Sequence, residues 1–238
     1  MKDLIRKILC FLHLDLTKNL EYDRLTKLIL KKVLTENSNC VDIGCHKGEI
    51  LELMLSYAPK GNHIAFEPLP HLFQNLKNIF GNQVTIYPFA LANENGASTF
   101  HFVKNAPAYS GIKKREYAVE NPDIEEIDVE LKKLDEVIDP NIKIDLIKID
   151  VEGAEFNVLK GAENLLKAHK PTVVFECGLG ASEFYDTHPG DVYSFFVDSI
   201  GLKLFTLKAF IQNRPSMTKK EFITLYQDKK EYYFVAAN

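Results

Sequence analysis

The sequence predicts an α/β fold built on a doubly wound, mainly parallel sheet. Three observations support this prediction. From residue 40 onward, short apolar strands alternate with segments of helical periodicity. The first strand runs into the glycine turn "VDIGCHKGEI" (41–50), and a later apolar strand ends abruptly on acids in "LIKIDVEGAEF" (146–156). Such alternation is typical of a sheet covered by helices on both faces, and right-handed crossovers restrict its topology.

The pattern of apolar residues in the first part of the chain predicts a helix followed by a strand–helix–strand–helix–strand unit. Apolar residues at helical spacing indicate helices over 20–35, 49–58 and 71–80. The strands between them are short, apolar and closed by polar residues or glycine. They are predicted at 40–44, 62–68 and 83–91.

Residues 92–142 interrupt this rhythm and predict a β-rich insertion. Alternating side chains indicate strands at 97–103 and 124–131, on either side of a polar loop. The loop carries two aromatic and three basic side chains: Tyr109, Lys113, Lys114, Arg115 and Tyr117. We interpret it as a lid that grips an anionic or glycosidic substrate, although a simple solvated loop is the alternative.

The α/β rhythm returns after the insertion and continues to the last residues. Strands are predicted at 143–149, 171–178, 203–208 and 231–237, and helices at 154–168 and 191–200. The boundaries that follow are an N-terminal helical extension over 1–37 and one larger domain over 38–238.

Composition excludes several classes of protein. The 238 residues are 46% hydrophobic and 26% charged, which is ordinary for a globular protein. The formal net charge of −4 gives no general attraction to nucleic acid. No apolar run approaches the roughly 20 residues that a membrane span needs.

The N-terminal segment "MKDLIRKILCFLHLDL" predicts an amphipathic helix rather than a signal peptide, since charges interrupt it and no cleavage site follows. We expect it to pack on its own domain; docking on a partner, a membrane surface or a second copy of the chain is the alternative. The cysteines form no metal-type pair, which indicates reduced thiols in a cytoplasmic protein. They are Cys10, Cys40, Cys45 and Cys177.

The glycine turn after the first strand is a candidate ligand loop. Gly44 and Gly48 stand between a strand and a helix, where backbone can approach a ligand near free N–H groups. His46 occupies the position where a dinucleotide fingerprint needs glycine. An ordinary tight turn would have the same pattern.

Two acids make this loop more specific. Glu67 ends the second strand, where a carboxylate can accept hydrogen bonds from ribose hydroxyls in nicotinamide and S-adenosylmethionine enzymes alike. A solvated acid before Pro68 is the alternative. Asp42 precedes the turn and favours an ammonium group over a pyrophosphate, which it would repel.

The acids of "IDVEGAE" follow a strand that should lie beside the first one, at the edge where α/β sheets bind ligands. Asp150 is expected in this crevice, with Glu152 on the loop beyond it. Glu155 can be explained as a favourable first-turn residue of a helix. Carboxylates here can stabilise a positive ligand, accept a proton or bind a divalent cation.

The segment "KIDVEGAEFNVLKGAENLL" resembles the hallmark of FkbM-type S-adenosylmethionine-dependent methyltransferases. Supporting matches are "VDIGCHKGEI", "AFEPLPHLFQNL", "LDEV" and "KPTVVFE", which together span about 38–178. The resemblance implies a Rossmann-like class I methyltransferase fold with seven strands, the last of them antiparallel. It also implies methyl transfer to the oxygen of a sugar or another small-molecule hydroxyl.

The residues that match the family's cofactor site are Asp42, Gly44, Gly48 and Glu67, and we assign to it the neighbouring Cys45, His46, Pro68, Ala90 and Leu91. The family's hallmark acids match Asp150 and Glu152.

Glu176 ends another strand and should face the same crevice, so we take Asp150, Glu152 and Glu176 as the catalytic candidates, with His46 and His188 as further bases. The three acids would also hold Mg²⁺ if a metal is used. A nicotinamide-dependent oxidoreductase and a non-catalytic binding protein on this fold remain the alternatives.

Overall fold

The computed structural model describes residues 17–115, 117 and 119–238. Its main sheet has seven strands, and only the last of them in the chain runs antiparallel to its neighbours. In spatial order they are β3 (Val84–Tyr87), β2 (His63–Phe66), β1 (Cys40–Ile43), β7 (Leu146–Ile149), β8 (Thr172–Glu176), β10 (Tyr233–Ala237) and β9 (Lys203–Thr206). The predicted doubly wound, seven-stranded sheet with its antiparallel last strand is confirmed.

Three neighbouring strands in the middle of the sheet are buried on both faces. Every residue of β1, β2 and β7 is buried, as expected of parallel strands between two helical layers. Strand β1 lies between β2 and β7, so that Ile43 pairs with both Phe66 and Ile149. The loops that follow these strands therefore begin side by side at one edge of the sheet.

Helices cover both faces of the sheet. They are α1 (Lys18–Val33), α2 (Glu49–Tyr57), α3 (Pro70–Phe80), α4 (Leu134–Val137), α5 (Glu155–Lys160), α6 (Glu163–His169), α7 (Pro189–Ser194), α8 (Leu207–Ile211) and α9 (Lys219–Gln227). A π-helical segment, Phe195–Ile200, continues α7. In the part of the chain that is described, none of the helices is both long and apolar enough to cross a membrane.

Helix α1 packs on the sheet of its own chain. The side chains of Tyr22, Leu25 and Ile29 are buried against Val174 of β8 and Val235 of β10. Most of the apolar face of this helix is therefore buried against its own sheet, whereas Leu28 is exposed. The helix predicted before it, over the first 16 residues, lies outside the described residues.

The predicted helix over 154–168 is wrong in one respect, because the structure breaks it into α5 and α6. The break lies at Gly161, whose backbone passes so close to Ala92 that an added Cβ would stand 2.0 Å from its carbonyl oxygen. The Asp135 carboxylate then accepts hydrogen bonds of 2.8 and 3.0 Å from two backbone N–H groups in the first turn of α6. A long-range contact thus ends one helix and caps the next.

The β-rich insertion is confirmed as a small separate sheet in the order β4 (Ala90–Leu91), β6 (Ile124–Lys132) and β5 (Gly96–Val103). The strand predicted over 83–91 is split, since β3 belongs to the main sheet and β4 to this one. The loop after β5 forms a short 3₁₀ turn and returns to it through a bridge between His101 and Gly111. The loop is thereby held against the small sheet.

The break between α5 and α6 can be tested with a substitution for which helix propensity and packing predict opposite changes in stability. Gly161→Ala should destabilise the protein by about 1–3 kcal/mol, because the new methyl group overlaps Ala92. Helix propensity alone predicts a gain of about 1 kcal/mol. Urea denaturation measures the difference, with Lys160→Ala, at the exposed preceding residue, as the control. A more stable Gly161→Ala protein would contradict the described packing.

Candidate active site

A cavity of about 480 Å³ lies at the carboxyl ends of β1, β2 and β7. Its walls come from the loops after these strands, from the insertion, from α1 and from the start of β10. The volume falls within the range of roughly 300–1,000 Å³ found for small-molecule sites. The crevice therefore lies at the sheet edge that the sequence predicted.

The glycine turn is shaped by protein packing. Gly44 has a φ of +75°, and a Cβ on it would lie 1.9 Å from the carbonyl oxygen of Asp150. Gly48 has a φ of +80°, and its Cβ would overlap Leu76 and Phe80 of α3. The sequence suggested that these glycines let the backbone of the protein approach a ligand. The structure instead shows that they admit neighbouring protein atoms, and only Gly44 lines the cavity.

Glu67 links the loop after β1 to the loop after β2 in the cavity wall. One of its oxygens accepts a 2.9 Å hydrogen bond from the backbone N–H of His46, and the other accepts one of 3.0 Å from that of Leu69. Burial raises the pKa of Glu67 to about 7, although these bonds and the charge of Lys148 oppose the rise. Because Glu67 is only 4% exposed, the alternative of a solvated acid is wrong.

Lys148 was not identified from the sequence, although it is central to the site. Its ammonium nitrogen lies 3.7 Å from Asp42 and 3.3 Å from Asp150, and it donates to the carbonyl of Gly44 at 3.3 Å. Burial lowers the pKa of Lys148, but the two carboxylates outweigh it and the net direction is upward. A lysine inside the otherwise apolar strand "LIKI" was the signal that could have revealed it.

Asp42 lies behind Lys148 and outside the cavity wall. It is fully buried, and its oxygens have no hydrogen-bond partner among the described residues. Burial raises the pKa of Asp42 to about 6, against the opposing charge of Lys148. The expected direct approach of Asp42 to a ligand's ammonium group is therefore corrected, because Lys148 stands between this carboxylate and the cavity.

Asp150 reaches the cavity as predicted and is held by a second unforeseen partner. The hydroxyl of Tyr233, on β10, donates a 2.5 Å hydrogen bond to its Oδ2. Burial raises the pKa of Asp150, but Lys148 and Tyr233 outweigh it, so the net direction is downward. Asp150 is therefore an ionised carboxylate at neutral pH.

Two further acids lie beside Asp150. One carboxylate oxygen from each of Asp150, Glu155 and Glu176 lies within 4.8 Å of the others. Burial raises the pKa of Glu155 to about 7, and burial together with Asp150 raises that of Glu176 well above its usual range. Glu155 accepts hydrogen bonds from the backbone N–H groups of Val151 and Gly153. It therefore orders the acidic loop in addition to starting α5.

Glu152 lines the cavity as predicted but lies outside the cluster of Asp150, Glu155 and Glu176, which corrects its predicted grouping with Asp150 and Glu176. It forms an ion pair with Arg115 of the insertion, and the guanidinium of Arg115 lies 5.2 Å from the ring centre of Tyr109. Both insertion residues line the cavity, as a lid would. Lys114 instead pairs with the exposed Glu126 outside it.

Helix α1 and strand β10 supply an aromatic wall that the sequence did not indicate. The ring of Tyr22 lies 4.7 Å from that of Tyr232 and 5.0 Å from that of Tyr233, between ring centres. The Tyr22 hydroxyl donates to Glu231, and the Tyr232 hydroxyl donates to Asn19. The N-terminal helix is therefore part of the cavity wall.

The remaining predicted residues divide into two groups. The cavity wall includes Cys45, His46, Pro68, Ala90 and Leu91. His188 is exposed at the start of α7 and away from the cavity. Burial lowers the pKa of His46, so this side chain is neutral at physiological pH.

The strand order, the antiparallel last strand and the ligand loops at the carboxyl ends of β1, β2, β7 and β8 define a class I methyltransferase fold. A family model described as the methyltransferase FkbM domain matches residues 42–203. The chain belongs to the FkbM methyltransferase family.

Known proteins similar to the chain include a solved FkbM methyltransferase from Methylobacillus flagellatus KT. That structure matches with a TM-score of 0.54 at 15% identity, over 85% of this chain and 44% of the other. Methyltransferase sdnD of Sordaria araneosa is 30% identical over 161 residues, which is 55% of this chain and 62% of the relative. Methyltransferase 1 of Beauveria bassiana is 26% identical over 151 residues, a match that covers 54% of this chain and 60% of the relative. The chain thus spans about 60% of the length of these two fungal relatives.

A bacterial relative shares the same region within a far longer protein. The AMB antimetabolite synthetase AmbE of Pseudomonas aeruginosa is 24% identical over 180 residues, which cover 60% of this chain and 8% of the synthetase. The shared unit is therefore a domain that also occurs within larger chains.

Removing the buried cation should destabilise the protein in a pH-dependent way. Lys148→Met leaves Asp42 and Asp150 without their counter-charge, at a cost of about 3–5 kcal/mol near neutral pH. Without Lys148, the pKa values of both acids in the folded state rise above those in the unfolded chain. The folded state then binds more protons, so the loss grows as pH rises above about 4 and shrinks on acidification.

Urea denaturation at pH 5 and pH 8 measures this loss. Adding Asp42→Asn to the variant should restore part of the stability, since one uncompensated charge is removed. Lys143→Met, which removes an exposed lysine paired with Asp145, is the control and should have little effect. An equal loss at both pH values would contradict the ion-pair account.

Proposed function

We propose that this protein transfers a methyl group from S-adenosylmethionine to a hydroxyl oxygen of a sugar or another small molecule. The observation that carries the proposal is the convergence of three features on one cavity: the turn at Gly44, the buried Glu67, and the ionised Asp150. Membership of the FkbM methyltransferase family supports it.

The residues at the cavity fit this cofactor. Each Glu67 oxygen makes one hydrogen bond to backbone, which leaves lone pairs on the carboxylate for ribose hydroxyls. Phe89 and Leu91 offer apolar surface for a purine base. The cavity wall is rich in acids, which favours a positive ligand over a pyrophosphate. Asp42 acts on such a ligand only through Lys148.

The side chains of this protein would align the acceptor and remove its proton. S-adenosylmethionine supplies a methyl group on a sulfonium centre. As the new carbon–oxygen bond forms and the carbon–sulfur bond breaks, the acceptor hydroxyl must lose a proton. We assign that proton to the pair Asp150 and Glu176, since both line the cavity and Asp150 is held ionised by Lys148 and Tyr233.

The part of the cavity wall beside the acids is suited to a hydroxylated ring. Tyr109 and Arg115 come from the insertion, and Tyr22 and Tyr232 come from α1 and β10. Aromatic faces pack against the apolar face of a ring, and a guanidinium donates to its oxygens. We therefore propose a small-molecule or glycan acceptor and no nucleic acid. The cytoplasmic location also stays a proposal of ours, consistent with free, buried Cys40, Cys45 and Cys177.

Calorimetric titration tests the cofactor. We expect micromolar binding of S-adenosylmethionine and none of NADH, and we expect Glu67→Ala to weaken the binding by at least about tenfold, because two loops lose their link and the ribose loses its acceptor. Glu52→Ala, at an exposed position of α2, is the control. Binding of NADH in preference to the methyl donor would instead support the alternative of a nicotinamide-dependent oxidoreductase.

Replacing the ionised acid tests the chemistry. Asp150→Asn should lower the rate of methyl transfer by about 10²–10⁴-fold, the range typical of a lost proton acceptor, and weaken binding of the methyl donor far less. The measurement is formation of S-adenosylhomocysteine with a panel of sugars and other hydroxylated acceptors. Donor binding without turnover on any acceptor would favour the non-catalytic alternative.

A further inference from the structure

The three acids below the cavity are close enough to share one ion. One oxygen from each of Asp150, Glu155 and Glu176 lies within 4.8 Å of the others. Two oxygens bound to the same Mg²⁺ or Ca²⁺ can be separated by at most about 4–5 Å, twice the metal–oxygen distance. The spacing of the three carboxyl groups therefore fits an ion as large as Ca²⁺ as it stands, and Mg²⁺ or Mn²⁺ needs the oxygens to approach one another by a few tenths of an ångström.

Among the described residues, the donors that anchor two of these carboxylates contact a single oxygen of each. Tyr233 and Lys148 both contact Oδ2 of Asp150, and the backbone N–H groups of Val151 and Gly153 both donate to Oε1 of Glu155. Such outer contacts fix the orientation of metal ligands and leave the second oxygen available. The two carboxylates are therefore already oriented as metal ligands would be.

The second oxygen of Glu155 lacks a partner. Glu155 is 3% exposed, and its Oε2 is buried without a hydrogen-bond partner among the described residues. A buried oxygen of this kind is costly unless something positive or a donor contacts it. It thus indicates a missing group in the cluster, independently of the spacing of the acids.

Among the residues that the structure describes, the protein charges around the cluster do not balance it. Lys148 is shared between Asp150 and Asp42, and Arg115 makes its ion pair with Glu152. Neither of these two cations forms an ion pair with Glu155 or Glu176, so their charge acts on these two acids only from a greater distance. Either protons or a small cation must offset the remaining negative charge, because buried like charges repel strongly.

We propose that Asp150, Glu155 and Glu176 bind one divalent cation, Mg²⁺ or Mn²⁺, under the floor of the cavity. An all-oxygen carboxylate set suits these hard cations. Asp150 and Glu176 also line the cavity, so the ion would lie within reach of an acceptor hydroxyl and lower its pKa. This role rests on the proposed methyl transfer, whereas the binding of the ion does not.

Terbium luminescence and calorimetry test the site on the whole chain after treatment with a chelator. The protein contains no tryptophan, so terbium excited through tyrosine reports an ion near Tyr233. We expect saturable luminescence that Mg²⁺ and Mn²⁺ displace, and calorimetric binding of Mn²⁺. Affinity should rise with pH, since the ligands must lose their protons to bind the ion.

Matched substitutions of neighbouring acids test the ligand set. Glu155→Gln and Glu176→Gln should each weaken Mn²⁺ binding by at least about tenfold, because a charged ligand becomes neutral without a change in shape. Glu152→Gln should leave the binding of Mn²⁺ unchanged, although Glu152 belongs to the same short segment. Thermal denaturation of each variant confirms that it is folded.

The outcomes separate this inference from the proposed function. No saturable binding to the wild type, or an equal loss in Glu152→Gln, would overturn the cation site and leave protons to neutralise the acids. Binding of S-adenosylmethionine is measured on the same samples. If the donor binds and the cation does not, only the cation site fails. If the cation binds and the donor does not, the proposed methyl transfer fails and the cation site stands.

Discussion

The contact on which the site depends is the buried ion triad in which Lys148 lies between Asp42 and Asp150. Strands β1 and β7 are neighbours in a fully buried sheet, and their register places Asp42 directly opposite Lys148. Charges at such a place must be paired, because each alone would be costly to bury. The triad therefore fixes the carboxyl ends of two strands together. It also keeps Asp150 ionised at the end of β7, where the chain leaves the sheet. The loops that follow β1 and β7 begin at this point.

The antiparallel last strand extends this network across the sheet. In strand β10, Tyr233 lies opposite Glu176 of β8, and its hydroxyl reaches back to Asp150. The same tyrosine packs against Tyr22 of α1, so the wall of the cavity is continuous from the acids to the N-terminal helix. The strand that distinguishes this sheet from a wholly parallel one thus supplies a hydrogen-bond donor to the acids and part of the cavity wall.

The sequence predicted what local pattern controls. Alternating apolar segments gave the sheet, and acids at the ends of apolar strands gave Glu67, Asp150 and Glu176. It could not distinguish Glu152 from Glu155, because their directions depend on a turn in which Glu152 has a φ of 60°. Lys148 and Tyr233 were missed because their roles come from register between strands distant in sequence. The break at Gly161 was missed for the same reason, since its cause lies in Ala92.

The distribution of charge bears on how such a site can be fast. In the proposed reaction the donor is positive and loses that charge as the methyl group moves to oxygen. Unbalanced carboxylates nearby would stabilise the bound donor more than the transition state, and only interactions that are stronger in the transition state accelerate the step. A site with this many buried acids therefore needs them offset. Lys148 offsets Asp42 and Asp150, and Arg115 offsets Glu152. The remaining pair, Glu155 and Glu176, is where a proton or a bound cation has the largest effect on rate.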